Sequence, residues 1–204
     1  MNNFYLINNN FTKYKKNYLK KRTCPICKSS KNTLINEFKK YQFFTDSSTP
    51  KKTDIKNVQC NKCFFIFQNP AYTREAVSKL FAEATLSYGN TTKSKKDQIR
   101  WFKKNKLILE NSSILDVGCW DGDFLNYFPD YVKKYGVDID KKIIKETLKK
   151  NKKLNLFYGD FEYFKTKKKF DIISMLHVLE HVKNPIKVLK NLRNLSKDSG
   201  KLVV

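Results

Sequence analysis

Arginine and alanine are scarce in this chain. Of 42 basic residues only Arg22, Arg74, Arg100 and Arg193 are arginine, and Ala71, Ala76, Ala82 and Ala84 are the only alanines. Lysine and asparagine are abundant instead, a bias that A+T-rich coding produces. The shortage of planar guanidinium forks counts against specific recognition of bases and phosphates, for which arginine is the better residue. The formal charge of +23 therefore reads first as a solvated lysine surface with residual affinity for polyanions. Nucleic acid stays a possible partner, not the favoured one. No run of eighteen apolar residues occurs, so no membrane-spanning helix is expected. The first 22 residues lack the apolar region and small-residue cleavage site of a secretion signal, and a cytoplasmic location is the expectation. What remains is ample for folding: 40% hydrophobic and 14% aromatic residues in 204 positions, enough for one full domain or two small ones.

Four stretches differ in character. Residues 1–22 are polar and Asn/Lys-rich, reading as an arm or short helix. Residues 23–70 carry four cysteines and β-type runs at Val58-Gln59 and Phe64-Phe65-Ile66-Phe67, with a loop at 45–53. Residues 71–112 read as a helical linker. Val77, Leu80, Phe81 and Ala84 recur at helical spacing, and a second helix over 97–109 buries Ile99, Phe102 and Leu107. From residue 113 strands and helices alternate. Strands are expected at 114–117, 135–137, 154–158, 170–175 and 201–204, with helices at 123–128, 141–149 and 185–195. Asp140 is placed to cap the second of these helices, whose inner face carries Ile143, Ile144 and Leu148. This alternation implies an α/β, Rossmann-like fold with a mostly parallel sheet covered on both faces. The chain stops at Val203-Val204 inside an apolar strand, which reads as a fragment whose sheet is incomplete at its C-terminal end.

Cys24-Pro25-Ile26-Cys27 and Cys60-Asn61-Lys62-Cys63 are two CxxC pairs. Each can form a tight knuckle with both thiolates aimed at one ion. Two knuckles supply the closed, four-sulfur set of a structural zinc site, with no open position for catalysis. A pair of disulfides or buried free thiols is the alternative, and disulfides are disfavoured in a cytoplasmic chain. Cys119, the fifth cysteine, reads as a small packing residue in a glycine turn.

That turn lies in SILDVGCWDGDFL at residues 113–125, where an apolar strand ends in Asp116 and Gly118 and Gly122 bound the loop. A second apolar run follows and ends in Asp138, Ile139 and Asp140. Glycine turns let backbone approach a ligand, and a strand-end carboxylate can accept from both hydroxyls of a ribose. The acid–GxGxG spacing, with Trp120 at the middle glycine, resembles motif I of class I S-adenosylmethionine-dependent methyltransferases. The resemblance continues through Gly136–Asp140, Gly159-Asp160-Phe161 and FDIISMLHVLEHVKNP at 170–185. With the CxxC pairs and NPAYTREAVSKLF, the chain resembles bacterial methyltransferases with an N-terminal zinc-ribbon-like domain, often associated with sugar or surface-polysaccharide pathways.

The resemblance implies roles. Asp116 would orient the methionine ammonium, with Gly118, Cys119 and Gly122 alongside. Asp138 and Ile139 would hold the ribose, Asp160 and Phe161 the adenine, and Met175 and Leu176 would line the cofactor. His177 is the candidate base, with Glu180 and His181 beside it to act or to orient the loop, and Tyr88 could close over the cofactor. The leading expectation is methylation of a small molecule, a sugar or nucleotide-sugar intermediate. RNA or protein methylation using the basic surface, or a fragment that binds cofactor without turnover, are the alternatives. An antiparallel hairpin that completes the family's sheet would be missing here.

Overall fold

The computed structural model describes residues 19–43, 51–73 and 92–204. The helix expected at 74–84, Tyr88 and most of the N-terminal arm lie outside the described residues. The chain divides into two compact units, Met1–Asn90 and Thr91–Val204.

In the first unit, β1 (Leu19–Lys20) pairs with β5 (Ala71–Tyr72), while β2 (Asn32–Phe43), β3 (Lys51–Cys60) and β4 (Ile66–Gln68) form an antiparallel three-stranded sheet. Strand β3 begins inside the stretch read from sequence as a loop. Its partner β2 has 12 residues, and two register shifts bend the pair. One face of this sheet carries Val58 and Phe67, buried together with Cys24 and Cys60. Arg22 lies over the Phe67 ring at 5.9 Å.

The second unit opens with α1 (Thr92–Lys104), followed by β6 (Ser113–Val117), α2 (Asp123–Asn126), β7 (Lys133–Asp138) and α3 (Lys141–Lys150). Strands β8 (Asn155–Tyr158) and β9 (Phe170–Ser174), helix α4 (Pro185–Leu195) and strand β10 (Ser196–Val203) complete it. The five strands are all parallel, in the order β10-β9-β6-β7-β8. From β6 the sheet grows one way through β7 and β8 and the other way through β9 and β10. That reversal leaves a crevice at the carboxyl ends of the central strands.

Side chains of β6 alternate between two apolar layers, and β9 contributes to both. Ile114 and Ile172 join one with Phe102, Phe124, Phe128 and Leu156; Leu115, Val117, Phe170 and Ile173 join the other with Val188, Leu192 and Leu195. Near the opposite end of the sheet, Asp171 accepts from the amide and hydroxyl of Ser113 at 2.9 and 2.8 Å and from Lys197 Nζ at 2.9 Å. Three adjacent strands are thereby tied together.

Helix α4 starts where proline at the first turn places it, and Asn184 Oδ1 accepts from the Lys187 amide. Asp140 caps α3 through the amides of Lys142 and Ile143. Several boundaries differ from the periodicity reading. Helix α1 ends at Lys104 and not at 109, because Lys106 turns left-handed at φ 52° and the Leu107 amide folds back to Phe102 O. Leu107 still packs on the core, from a turn. Leu148 is exposed and not inward, while Ile144 is buried on the same helix. Helix α2 stops at Asn126, two residues early, and β10 begins at Ser196, five residues before the apolar run.

Candidate functional site

Strand β6 delivers Asp116 to the crevice, β9 delivers Ser174 beside it and β7 delivers Asp138 on the other side, through the registers Asp116↔Ser174 and Asp116↔Gly136. Ser174 Oγ donates to Asp116 Oδ1 at 2.7 Å in a buried contact. Burial pushes the Asp116 carboxyl up to about 7; the Ser174 hydrogen bond and Lys95 work against this and the charge of Asp138 adds to it. Asp138 is raised for the same leading reason, burial, with the amides of Asp140 and Trp120 opposing.

The turn between β6 and α2 is held from below. Gly118 donates to Val137 O at 2.8 Å, and Gly122 donates to Cys119 O at 2.8 Å. Gly118 and Gly122 adopt φ 77° and 69°, a region that side chains disfavour. A Cβ at Gly118 would also overlap Val178 Cγ2, so packing fills the space that close approach to a ligand was expected to use. Trp120 is left-handed too, at φ 48°, which aims its amide at Asp138 Oδ2, 2.8 Å away. Its half-buried ring lies 5.9 Å from Lys95 Nζ, which in turn donates to Asp123 Oδ2 at 2.9 Å. The Cys119 thiol is enclosed in the apolar layer, well above its ordinary pKa because it is buried. There it fills the place of the side chain that Gly136 lacks.

Asp138 Oδ1 accepts from the Asp140 amide at 2.8 Å. Each oxygen of Asp138 thus takes one backbone donor and keeps a second lone-pair direction for an outside hydroxyl. Ile139 sits half-buried between the two acids. On the next strand connection, the Gly159 amide donates to Asp138 O at 2.8 Å, and Asp160 Oδ1 accepts from the Glu162 amide at 2.8 Å. Phe161, half-buried, packs on the second apolar layer, and its carbonyl accepts from Asn191.

Met175 and Leu176 part company. Met175 has no exposed surface and lies within the second layer, so its side chain belongs to the core and not to a cleft wall. Leu176 is half-buried against the first layer. Next to them, His177 is exposed at φ 56°, and Glu180 Oε1 lies 4.0 Å from both His177 Nδ1 and His181 Nε2. Partial burial lowers the pKa of His181, and Glu180 counters it.

Ser174 and Lys95 went unnoticed in the sequence. Ser174 has a signal, a small hydroxyl ending the apolar run FDIIS; Lys95 has none among so many lysines. The donor set suits S-adenosylmethionine. Two buried carboxylates held by neutral donors are a place for a cation, and Asp138 retains acceptor capacity for a diol.

In the first unit Cys24 Sγ lies 3.5 Å from Cys63 Sγ, Cys27 Sγ lies 3.4 Å from Cys60 Sγ, and all four sulfurs fall within 4.8 Å of one another. These pairs are too far apart for disulfides, whose S–S length is about 2.05 Å. A tetrahedral zinc with bonds of about 2.3 Å needs sulfur–sulfur edges of about 3.8 Å, and the cluster brackets that value. Burial opposes charge on Cys60, but the amides of Cys63 and Lys62 together with the thiols of Cys27 and Cys63 outweigh it and bring its thiol down to about 6.

A family profile described as a methyltransferase domain matches residues 75–204. The chain belongs to this family. Its five-stranded parallel sheet is the Rossmann-like core of the class I, S-adenosylmethionine-dependent methyltransferases. The ubiquinone biosynthesis O-methyltransferase of Coxiella burnetii (strain RSA 493 / Nine Mile phase I) is 31% identical over 109 residues, covering 48% of this chain and 45% of the relative. The methyltransferase chain thus spans less than half the length of the curated relatives it matches. Among solved structures, an S-adenosylmethionine-dependent methyltransferase from Clostridium acetobutylicum ATCC 824 has a TM-score of 0.48 at 18% identity, over 63% of this chain and 55% of that one. The plantazolicin methyltransferase BpumL, in complex with a triazolic desmethylPZN analogue and SAH, has a TM-score of 0.48 at 21% identity, over 64% and 60% of the two chains. No helix among the described residues is long and apolar enough to cross a membrane.

Proposed function

We propose that this methyltransferase moves the methyl group of S-adenosylmethionine to a small-molecule acceptor, a sugar or nucleotide-sugar intermediate. The observation that carries the cofactor assignment is the pair Asp116 and Asp138, buried at the ends of adjacent strands on either side of a rigid turn. The bound cofactor supplies an electrophilic methyl on a sulfonium, already activated for attack. Asp116, kept in place by Ser174, faces the cationic methionine end as a carboxylate. Gly118, Cys119 and Gly122 contribute backbone, since the thiol of Cys119 is turned into the core. Asp138 accepts from the ribose diol, with Ile139 beside it. Asp160 accepts from the adenine amine, and Phe161 and Leu176 border the rings.

The protein's remaining task is alignment of the incoming nucleophile. His177, exposed at the crevice edge, takes the acceptor's proton where one must leave, and Glu180 lies between it and His181. The sugar class rests on the sequence pattern of two CxxC knuckles followed by NPAYTREAVSKLF. In the module at 23–70, Cys24, Cys27, Cys60 and Cys63 hold a structural zinc ion, which joins two distant knuckles and stabilises the hairpin between them.

Transfer of labelled methyl from S-adenosylmethionine to a panel of sugar nucleotides tests the reading. Product should form with at least one of them and drop about 100-fold or more in His177→Ala. Incorporation into RNA or protein alone would overturn the acceptor class.

A further inference from the structure

Residues 159–169, between β8 and β9, form no helix or strand, so the turn assigned to the adenine is not held by a backbone ladder. Its bends are closed locally. Asp160 Oδ1 accepts from the Glu162 amide at 2.8 Å, and Asp160 O accepts from the Tyr163 amide at 2.9 Å. Such a turn fixes its own shape but not its place on the domain.

That place is set by α4. Asn191 Nδ2 donates to Phe161 O at 3.2 Å and to Phe164 O at 2.9 Å, spending both hydrogens of one amide on two carbonyls of one turn. Lys187 Nζ lies 3.5 Å from the centroid of the Tyr163 ring, and the Asn184 amide donates to Glu162 Oε1 at 3.3 Å. Asn184, Lys187 and Asn191 are spaced three and four apart, so they form one stripe along α4 that meets the turn.

The stripe borders the buried face of Val188, Leu192 and Leu195. A leucine at 191 would serve both the helix and that face better than asparagine, a poorer helix former. It would also leave the Phe161 and Phe164 carbonyls without this donor. Asparagine here answers the turn, not the helix. Phe161 and Phe164 pack partly buried on the same layer as Val188 and Leu192, and the Phe164 ring meets Phe157 of β8 at 5.6 Å. The amide therefore ties down the backbone between two anchored rings.

We propose that Asn191 is the positioning residue of base recognition, holding residues 161–164 so that the Asp160 carboxylate meets the exocyclic amine of the adenine. Asn191 touches neither cofactor nor acceptor and acts through Asp160. The inference rests on the adenine assignment of Asp160 and Phe161 and adds to it a selectivity among bases. A carboxylate held at that point accepts from an exocyclic amine and repels the exocyclic carbonyl of hypoxanthine. A turn that shifts loses this distinction first, because the ribose and methionine ends are assigned to β7 and β6.

The test is calorimetry of the full chain with S-adenosylhomocysteine and with S-inosylhomocysteine, which differ only in the base. The parent should prefer the adenine compound by about 100-fold. In Asn191→Leu the preference should shrink to about tenfold or less, through weaker binding of the adenine compound alone. A merely structural role would weaken both compounds alike and leave the ratio unchanged. Asn191→Ser keeps one donor with little apolar bulk and should fall between the two. Asp160→Ala should erase the preference by itself. A preference intact in both Asn191 variants but erased in Asp160→Ala would overturn the proposal and leave the adenine assignment standing. Equal binding of the two compounds by the parent would remove that assignment, and the proposal with it.

Discussion

The Trp120 amide donates to Asp138 Oδ2 across 2.8 Å, joining the turn after β6 to the end of β7. The carboxylate assigned to the ribose is therefore also the strut of the turn assigned to the methionine portion. Asp138→Ala should abolish measurable S-adenosylmethionine binding in calorimetry, a loss of about 100-fold or more for two charge-assisted hydrogen bonds. Asp138→Asn retains one acceptor oxygen and should lose less. Equal affinity in Asp138→Ala would sink the site assignment.

Asp116 makes stability and affinity move in opposite directions with pH. Its carboxyl titrates near 7 in the fold and near 4 when unfolded. Between these values the folded state keeps a proton that the unfolded state has lost, so stability falls as pH rises from about 4 to about 7, on the order of 4 kcal/mol for this group. Cofactor affinity rises with pH through the upper part of the window, because the cationic end prefers the carboxylate. Urea titrations of the parent and Asp116→Asn should diverge across that range. Parallel pH profiles would contradict the buried titration.

Gly136 and Cys119 share one volume. An alanine methyl at 136 would lie 2.5 Å from the Cys119 sulfur and 2.8 Å from Leu156 Cδ2. Gly136→Ala should cost about 1–3 kcal/mol by overpacking, read as a lowered denaturation midpoint. Gly159→Ala, with nothing within 4 Å of the added methyl, is the control and should be close to neutral.

Metal analysis of the purified protein should give about one zinc per chain, falling to near zero in Cys60→Ser. Chelation should release the knuckles and expose the buried Val58 and Phe67, measured as faster amide exchange in β3 and β4. Full metal content in Cys60→Ser would dismiss the four-sulfur site.

The sequence is most legible where one element answers one local rule. Asn184 and Pro185 mark the start of α4, Asp140 marks α3, and the strand-end acids Asp116 and Asp138 stand out against apolar runs. It is less legible where the answer comes from another part of the chain. The turn at Lys106 lets Leu107 reach the core without a helix, which periodicity cannot distinguish from one more helical turn. Leu148 fits the inward stripe of α3 but stays 37% exposed. Ser174 is connected to Asp116 only by strand pairing across 58 residues. Trp120 looked like a departure at a glycine position; its backbone takes the left-handed angle that glycine would supply.

Strand β6 is buried at every position from Ser113 to Val117, between two apolar layers and two hydrogen-bonded neighbours. Its amides can meet solvent only when both layers part together, so their deuterium uptake should proceed at the rate of global unfolding. Asp116 then has no private route to disorder. Thermal motion can loosen the crevice from the side of the exposed His177 loop, while the carboxylate stays fixed for as long as the domain is folded.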